Sequence, residues 1–141
     1  MPEQTSARHV EGPVSYAQTP PTGGDHHPVW WDCGTYPTAI PEEHAVHSLE
    51  HGAVWLTYRP DASAADVERL RAVAARDYML LSPHAEQRPA FVATAWGHQL
   101  AQDELDVPAV EAFVREHRMS ADAPEPGALC TNGTTRDLVK R

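Results

Sequence analysis

The chain has 141 residues, a net charge of −9 and nine histidines. This length suits one compact domain with a hydrophobic core of useful size. The acidic balance, without a cluster of Lys and Arg, excludes nucleic acid and anionic membrane surfaces as expected partners. The sequence contains no apolar run near 18 residues and no basic and apolar leader, so it predicts no membrane span and a cytoplasmic location.

The first 43 residues are rich in proline and glycine, and they also carry several aromatic side chains. This composition predicts an ordered, loop-rich N-terminal wrap that its aromatic rings hold against the domain. These rings belong to Tyr16, Trp30, Trp31 and Tyr36. The predicted divisions of the chain are a disordered N-terminus, 1–8, one metal-binding domain, 9–130, and a flexible tail, 131–141.

From residue 43 onward, the spacing of apolar residues predicts alternating helices and strands. A short helix over 43–50 is expected to end at Gly52, because glycine adopts the left-handed conformation of a helix C-cap. Ser63 is the expected N-cap of the clearest helix. The remaining predicted elements are strand 53–58, helix 63–76, strand 78–82, strand 90–96 and helix 107–118.

This β-α-β-β-α order predicts an α+β domain. We expect a small, mostly antiparallel sheet with two helices on one face, in a ferredoxin-like arrangement, with the wrap outside it. An exposed edge of such a sheet would allow a homodimer to form.

The histidines are concentrated in the wrap and the first helix. His44, His47 and His51 lie on one stripe of that helix, and the H-x3-H spacing of the last two places two imidazoles over one metal ion. His26 and His27 follow in the upstream loop, and one of them folding back would complete three nitrogen ligands with an open coordination position. The alternative is that these side chains are solvated or hydrogen-bonded structural histidines.

The ligand type predicts the metal. Imidazole ligands favour copper or zinc over magnesium or calcium, and copper(II) outranks zinc in affinity, so we expect copper with zinc as the alternative. Glu50 stands between His47 and His51 in H-x-x-E-H, the inverted zinc-protease motif. The small chain and the early end of the helix disfavour a peptidase. Glu50 is therefore assigned a catalytic role, orienting a ligand or relaying protons.

Aromatic residues near these positions are candidates for a substrate pocket. Trp30, Tyr58 and Trp96 are predicted to line it beside the metal. Met79 would add a thioether ligand if its strand lay beside the helix, although core packing is the simpler explanation.

The remaining candidates have structural interpretations. Cys33 and Cys130 are the two cysteines, and one disulfide between them would tie the wrap to the tail. Such bonds are rare in the cytoplasm. His9, His84 and His117 are expected to be ordinary surface residues.

Several short blocks along the chain resemble one bacterial family. They are HVEGP at 9–13, PPTGGDH at 20–26, CGTY at 33–36, HSLEHG at 47–52, AWG at 95–97 and EPG at 125–127. Together they resemble the domain-of-unknown-function family number 3105 from about residue 9 to 130. The resemblance identifies His26, rather than His27, with the family's histidine, and it implies no activity. Many relatives resemble exported, anchored proteins, and this version without an anchor resembles an enzyme recruited to secondary metabolism.

The expected function is that of a copper-dependent enzyme that oxidises or cyclises a small-molecule metabolite. His26, His47 and His51 would bind the ion, and Glu50 would act beside it. The alternatives are a non-catalytic copper or zinc carrier or sensor, a zinc hydrolase with Glu50 as general base, and a metal-free structural protein.

Overall fold

The computed structural model describes residues 7–141, which fold into a mixed five-stranded sheet with three helices. The predicted α+β class is confirmed. Most of the predicted disordered N-terminus lies outside the described residues. Among the described helices, none is both long and apolar enough to cross a bilayer. The elements are β1 (Gly34–Thr35), α1 (Glu42–Glu50), β2 (Val54–Tyr58), α2 (Ala64–Val73), β3 (Met79–Pro83), β4 (Phe91–Ala95), β5 (His98–Gln102) and α3 (Val107–His117).

The strand order of the sheet is β1-β3-β2-β4-β5. β3 pairs in parallel with β1 and with β2, whereas β4 is antiparallel to β2 and to β5. The sheet is therefore mixed rather than mostly antiparallel, and the ferredoxin-like arrangement is not confirmed. The parallel pair arises because α2 connects β2 to β3 as a crossover, and the wrap adds β1 beyond it.

The sheet separates two hydrophobic cores because alternate residues of a strand point to opposite faces. Val54, Leu56 and Tyr58 of β2 pack with α2 and α3, which are the two helices on one face that the sequence predicts. Trp55, between them, packs on the other face with α1 and the wrap. The helix that carries most of the candidate ligands therefore lies under the wrap.

The wrap and the C-terminal tail meet over α1. Trp31 of the wrap is buried in the α1 core, and it forms a parallel β-bridge with Thr134. The backbone N–H of Leu138 donates to Nε2 of His44 at 3.0 Å, and the guanidinium of Arg141 lies 3.0 Å from the buried carboxylate of Glu43. The tail that we expected to be flexible thus makes specific contacts with the domain.

Cys33 and Cys130 form a disulfide whose Cα atoms are 5.4 Å apart. This separation lies within the normal range for the bond. The backbone N–H of Cys33 also donates to the carbonyl of Cys130 at 2.8 Å. The bond joins the wrap to the tail, as the sequence allowed.

Gly52 ends α1 with a φ of +102°, and a Cβ at this position would lie 2.8 Å from Cα of Met119. We expect Gly52→Ala to lower the free energy of unfolding by about 1–3 kcal/mol from the left-handed backbone alone, with a further loss from the contact with Met119. Urea unfolding measures both. Gly97→Ala is the control, because Gly97 has a φ of +78° and a Cβ there meets nothing within 4 Å. Equal losses in the two variants would contradict the steric role of Gly52.

Candidate metal centre

Helix α1 supplies the centre's first residues. His47 and Glu50 are three residues apart and His51 follows at the helix end, so their side chains project from one side of the helix. The residues of α1 from 43 to 50 are all buried, because the helix is packed between the sheet and the wrap. The histidines and the glutamate are therefore held in a desolvated environment by the fold itself.

The wrap supplies the other residues through a short backbone pairing. His26 donates its N–H to the carbonyl of Arg8 at 2.9 Å and accepts from the N–H of Val10 at 2.7 Å. This parallel bridge places His9 directly beside His26. Gly24 has a φ of +108°, a conformation that suits glycine, and its carbonyl accepts from Nδ1 of His26.

Four donor atoms converge on one position. Oε1 of Glu50 lies 3.1 Å from Nε2 of His26 and 3.6 Å from Nε2 of His47. It lies 3.8 Å from Nε2 of His9. Ligand atoms at 2.0–2.1 Å from a tetrahedral ion are about 3.3 Å apart, so the observed separations suit a single ion. We call these four residues the central group; their ligand atoms all lie within 4.8 Å of one another.

The hydrogen bonds of the imidazole rings fix which nitrogen can bind an ion. A carbonyl oxygen only accepts, so a ring nitrogen in contact with one must carry the proton. In three histidines Nδ1 donates in this way, so Nε2 carries the lone pair whenever the ring is neutral, as is typical of metal-binding histidines. The pairs are His26 to Gly24 at 2.8 Å, His47 to His27 at 2.7 Å and His51 to Leu129 at 2.6 Å.

The electrostatics of the central group also call for a cation. Burial lowers the pKa of His47 to about 4, so this ring is neutral at neutral pH. Burial alone would raise the pKa of Glu50, but the hydrogen bond with His26 and the surrounding imidazoles outweigh it and leave that pKa below its ordinary value. An ionised carboxylate oxygen thus faces ring nitrogens at short range. A proton or a metal ion must lie among them.

The structure brings together some of the predicted ligands. His26 and His47 meet as expected, and Glu50 lies among them as a fourth donor rather than beside them. His51 is close, with its ring centroid 4.6 Å from that of His47, but it lies in a different set of donors. We call this set the outer group; it contains Glu50, His51 and Glu125, with Nε2 of His51 3.7 Å from Oε1 of Glu125.

His9 is the ligand candidate that the sequence analysis missed. Its side chain is 47% exposed, as a surface residue would be, yet its Nε2 faces Glu50. No local spacing relates it to the helix, since it reaches the centre only through the backbone bridge to His26. Its place in the HVEGP block was the one available signal.

Two of the three predicted aromatic residues flank the centre. The indole ring of Trp30 lies 5.8 Å from the ring of His47 and 5.2 Å from that of His51, and Trp96 lies 6.1 Å from His26. Tyr58 does not reach the histidines. Its side chain points to the same face of the sheet as Val54 and Leu56, so it packs in the core with α2 and α3.

The other histidines have different environments. Nδ1 of His44 donates to the carbonyl of Val29 at 2.7 Å, and its Nε2 accepts from the N–H of Leu138. Both ring nitrogens are therefore engaged in hydrogen bonds with the backbone. The rings of His27 and His44 are tilted relative to each other, with centroids 4.4 Å apart. His84, expected at the surface, is buried and pairs with Glu42 at 2.6 Å, because it follows β3 into the domain.

Met79 is not near the histidines of α1, since it packs in the core with α2 and α3. A further group of possible ligands, separate from the centre, lies at the surface and consists of His98, His117 and Asp122.

Comparison with known protein families gives a match over most of the chain. A family described as "Protein of unknown function (DUF3105)" matches residues 9–132, which include every member of both donor groups. No curated protein and no solved structure matches the chain.

Proposed function

The chain belongs to the DUF3105 family, whose description states no activity, and we propose from its metal centre that it is a copper-dependent oxidoreductase acting on a small molecule. The observation that carries the proposal is the convergence of three Nε2 atoms on one buried carboxylate oxygen, at 3.1–3.8 Å. Dioxygen is the proposed oxidant: the substrate is oxidised and dioxygen is reduced.

The donor set supports copper as the ion. Imidazole nitrogen binds copper and zinc well, and copper(II) has the higher affinity at a given site. The carboxylate of Glu50 offsets part of the ion's charge inside a buried centre, which reduces the cost of desolvating it. When bound, copper would supply one-electron redox chemistry, whereas zinc would not.

The exposed fractions of the ligand side chains support access of a substrate to the metal centre from the side of His9. His26, His47 and Glu50 have side chains at most 5% exposed, whereas that of His9 is 47% exposed. A small substrate would thus approach past His9. Trp30, half-buried beside His47, offers an aromatic surface for a planar or cationic molecule. A hydrolase is not favoured, because Glu50 faces the three imidazoles and is not free to act as a base.

The disulfide supports a proposal about compartment as well. Disulfides persist in oxidising compartments and are rare in the cytoplasm. The Cys33–Cys130 bond therefore favours an oxidising compartment over the cytoplasmic location that the sequence suggested.

A copper carrier is the second candidate, and the exposure of His9 favours it. A half-exposed ligand at the mouth of a site can be exchanged for a ligand of a partner protein, which is how an ion would be passed on. The two candidates differ in what reduced copper does in air: an enzyme reacts with dioxygen, whereas a carrier holds copper(I).

Electron paramagnetic resonance (EPR) separates these functions. Protein loaded with one equivalent of copper(II) is expected to show splitting from coordinated imidazole nitrogens. In His26→Ala this splitting should change, because one of the three nitrogens is removed. Ascorbate under nitrogen should bleach the signal, and dioxygen should restore it with measurable oxygen consumption over repeated cycles. A signal that stays bleached in air would overturn the oxidoreductase and support the carrier. Equal oxygen consumption by His26→Ala would exclude this centre as the source.

A further inference from the structure

We propose that the centre is dinuclear, with the carboxylate of Glu50 bridging one ion in the central group and a second divalent transition ion in the outer group. The proposal rests on the proposed function for its first ion. It adds a second site, formed by Glu50, His51 and Glu125, whose ligand atoms lie within 4.8 Å of one another.

Glu50 is placed to serve both ions. Its side chain is only 4% exposed, and its carboxylate belongs to both donor groups. Its Oε1 lies 3.6 Å from Nε2 of His47, and the ligand atoms of Glu50 and His51 lie within 4.8 Å of one another. A carboxylate has two oxygens with about four lone-pair positions, enough for two ions.

His51 is prepared as a ligand in the same way as His26 and His47. Its Nδ1 donates to the carbonyl of Leu129 at 2.6 Å, which leaves the lone pair on Nε2. That Nε2 lies 3.7 Å from Oε1 of Glu125. The distance is too long for a hydrogen bond but close to the separation of about 3.3 Å between two ligands of one tetrahedral ion.

The backbone holds Glu125 at this place although its side chain is 59% exposed. The N–H of Glu125 donates to the carbonyl of Glu50 at 3.0 Å, and the N–H of Gly127 donates to the carbonyl of His51 at 3.0 Å. These bonds dock the segment 125–127 on the end of α1. The fold therefore fixes the backbone of Glu125 beside His51, and its carboxylate reaches Nε2 of His51 from this fixed position.

The donors define the second ion's chemistry. One imidazole nitrogen and two carboxylate oxygens suit zinc or copper, and two anionic ligands offset the charge of a divalent ion. Because the side chain of Glu125 is 59% exposed, water would supply the remaining ligands. An ion there would be held more weakly than one in the central group, because it has fewer protein ligands.

Metal counting tests the proposal. The starting protein is His98→Ala/His117→Ala, which removes the surface group as a source of bound ions. After titration with copper(II) and gel filtration, mass spectrometry should find two ions per chain. EPR should show the half-field transition of two neighbouring copper(II) ions. Adding His51→Ala should reduce the count to one and remove that transition, whereas adding His84→Ala, at a buried histidine outside both groups, should leave both unchanged.

Each result decides between the two proposals. One ion in the starting protein would overturn the dinuclear site and leave the proposed function intact, whereas no ion would overturn both. Two ions retained with His51→Ala would show that the outer group does not bind. Glu125→Gln decides the matter if His51→Ala fails to fold, since Glu125 is exposed: we expect it to weaken the second ion at least tenfold, and unchanged affinity would overturn the site.

Discussion

Replacing His47 by alanine is expected to remove most of the stabilisation that copper gives the folded protein. An ion present at 100 times its dissociation constant raises the free energy of unfolding by about 2.7 kcal/mol, because it binds only the folded state. His47 contributes Nε2 to the central group, at 3.6 Å from the shared oxygen of Glu50. Thermal unfolding with and without copper(II) measures this increment in stability. In His47→Ala it should fall to the smaller part that the more weakly held ion of the outer group contributes.

His44→Ala is the matched control, one turn earlier on the same helix. Both ring nitrogens of His44 are engaged by backbone groups, so its loss leaves the carbonyl of Val29 and the N–H of Leu138 without their partners. We expect a lower stability without metal, by about 1–3 kcal/mol, and an intact copper increment. Loss of the copper-induced stabilisation in His44→Ala, or an undiminished stabilisation in His47→Ala, would contradict the assignment of roles on α1.

Removing the disulfide is expected to cost the protein about 4–5 kcal/mol of stability. The two cysteines are 97 residues apart, and closing a loop of this length restricts the unfolded chain strongly. Cys33→Ala/Cys130→Ala compared with the oxidised wild-type protein in urea measures the loss. If the two free energies of unfolding differ by less than about 1 kcal/mol, the disulfide does not stabilise the fold by restricting the unfolded chain, which would contradict this prediction.

The same variant tests how the tail supports the metal centre. Leu129, whose carbonyl accepts from His51, directly precedes Cys130, whereas the partners of His26 and His47 lie in the wrap. We expect the double variant to bind the central ion with nearly unchanged affinity and to lose affinity for the second ion. Copper titration of the folded variant measures both affinities, and a selective loss of the central ion would contradict this expectation.

Most of the regular elements followed from local sequence patterns, but the strand β5 was not predicted. Ser63 caps α2 as predicted and accepts the N–H of Asp66 at 3.1 Å, and Gly52 ends α1 in the predicted left-handed conformation. The two-residue strand β1 has too few residues for any periodicity, and its pairing with β3 depends on where the wrap crosses the domain. The prediction that Tyr58 lines a pocket beside the metal was wrong, because the sequence of β2 does not show which face of the sheet packs against α1.

The part of the candidate site that α1 carries could be predicted from the sequence. The spacing of His47, Glu50 and His51 places them together on any helix. Which of them share an ion depends on partners far along the chain: the carbonyl that orients His51 is 78 residues away, and His9 arrives by a backbone bridge. Such long-range hydrogen bonds leave no periodic trace in the sequence.

Anomalous diffraction from crystals of the copper-loaded protein tests the central claim most directly. Data on the two sides of the copper absorption edge locate the ion without reference to activity. We expect the strongest peak among Nε2 of His9, His26 and His47 and Oε1 of Glu50, at about 2.0–2.2 Å from each. A map with no peak there, or with copper only at His98, His117 and Asp122, would contradict the account.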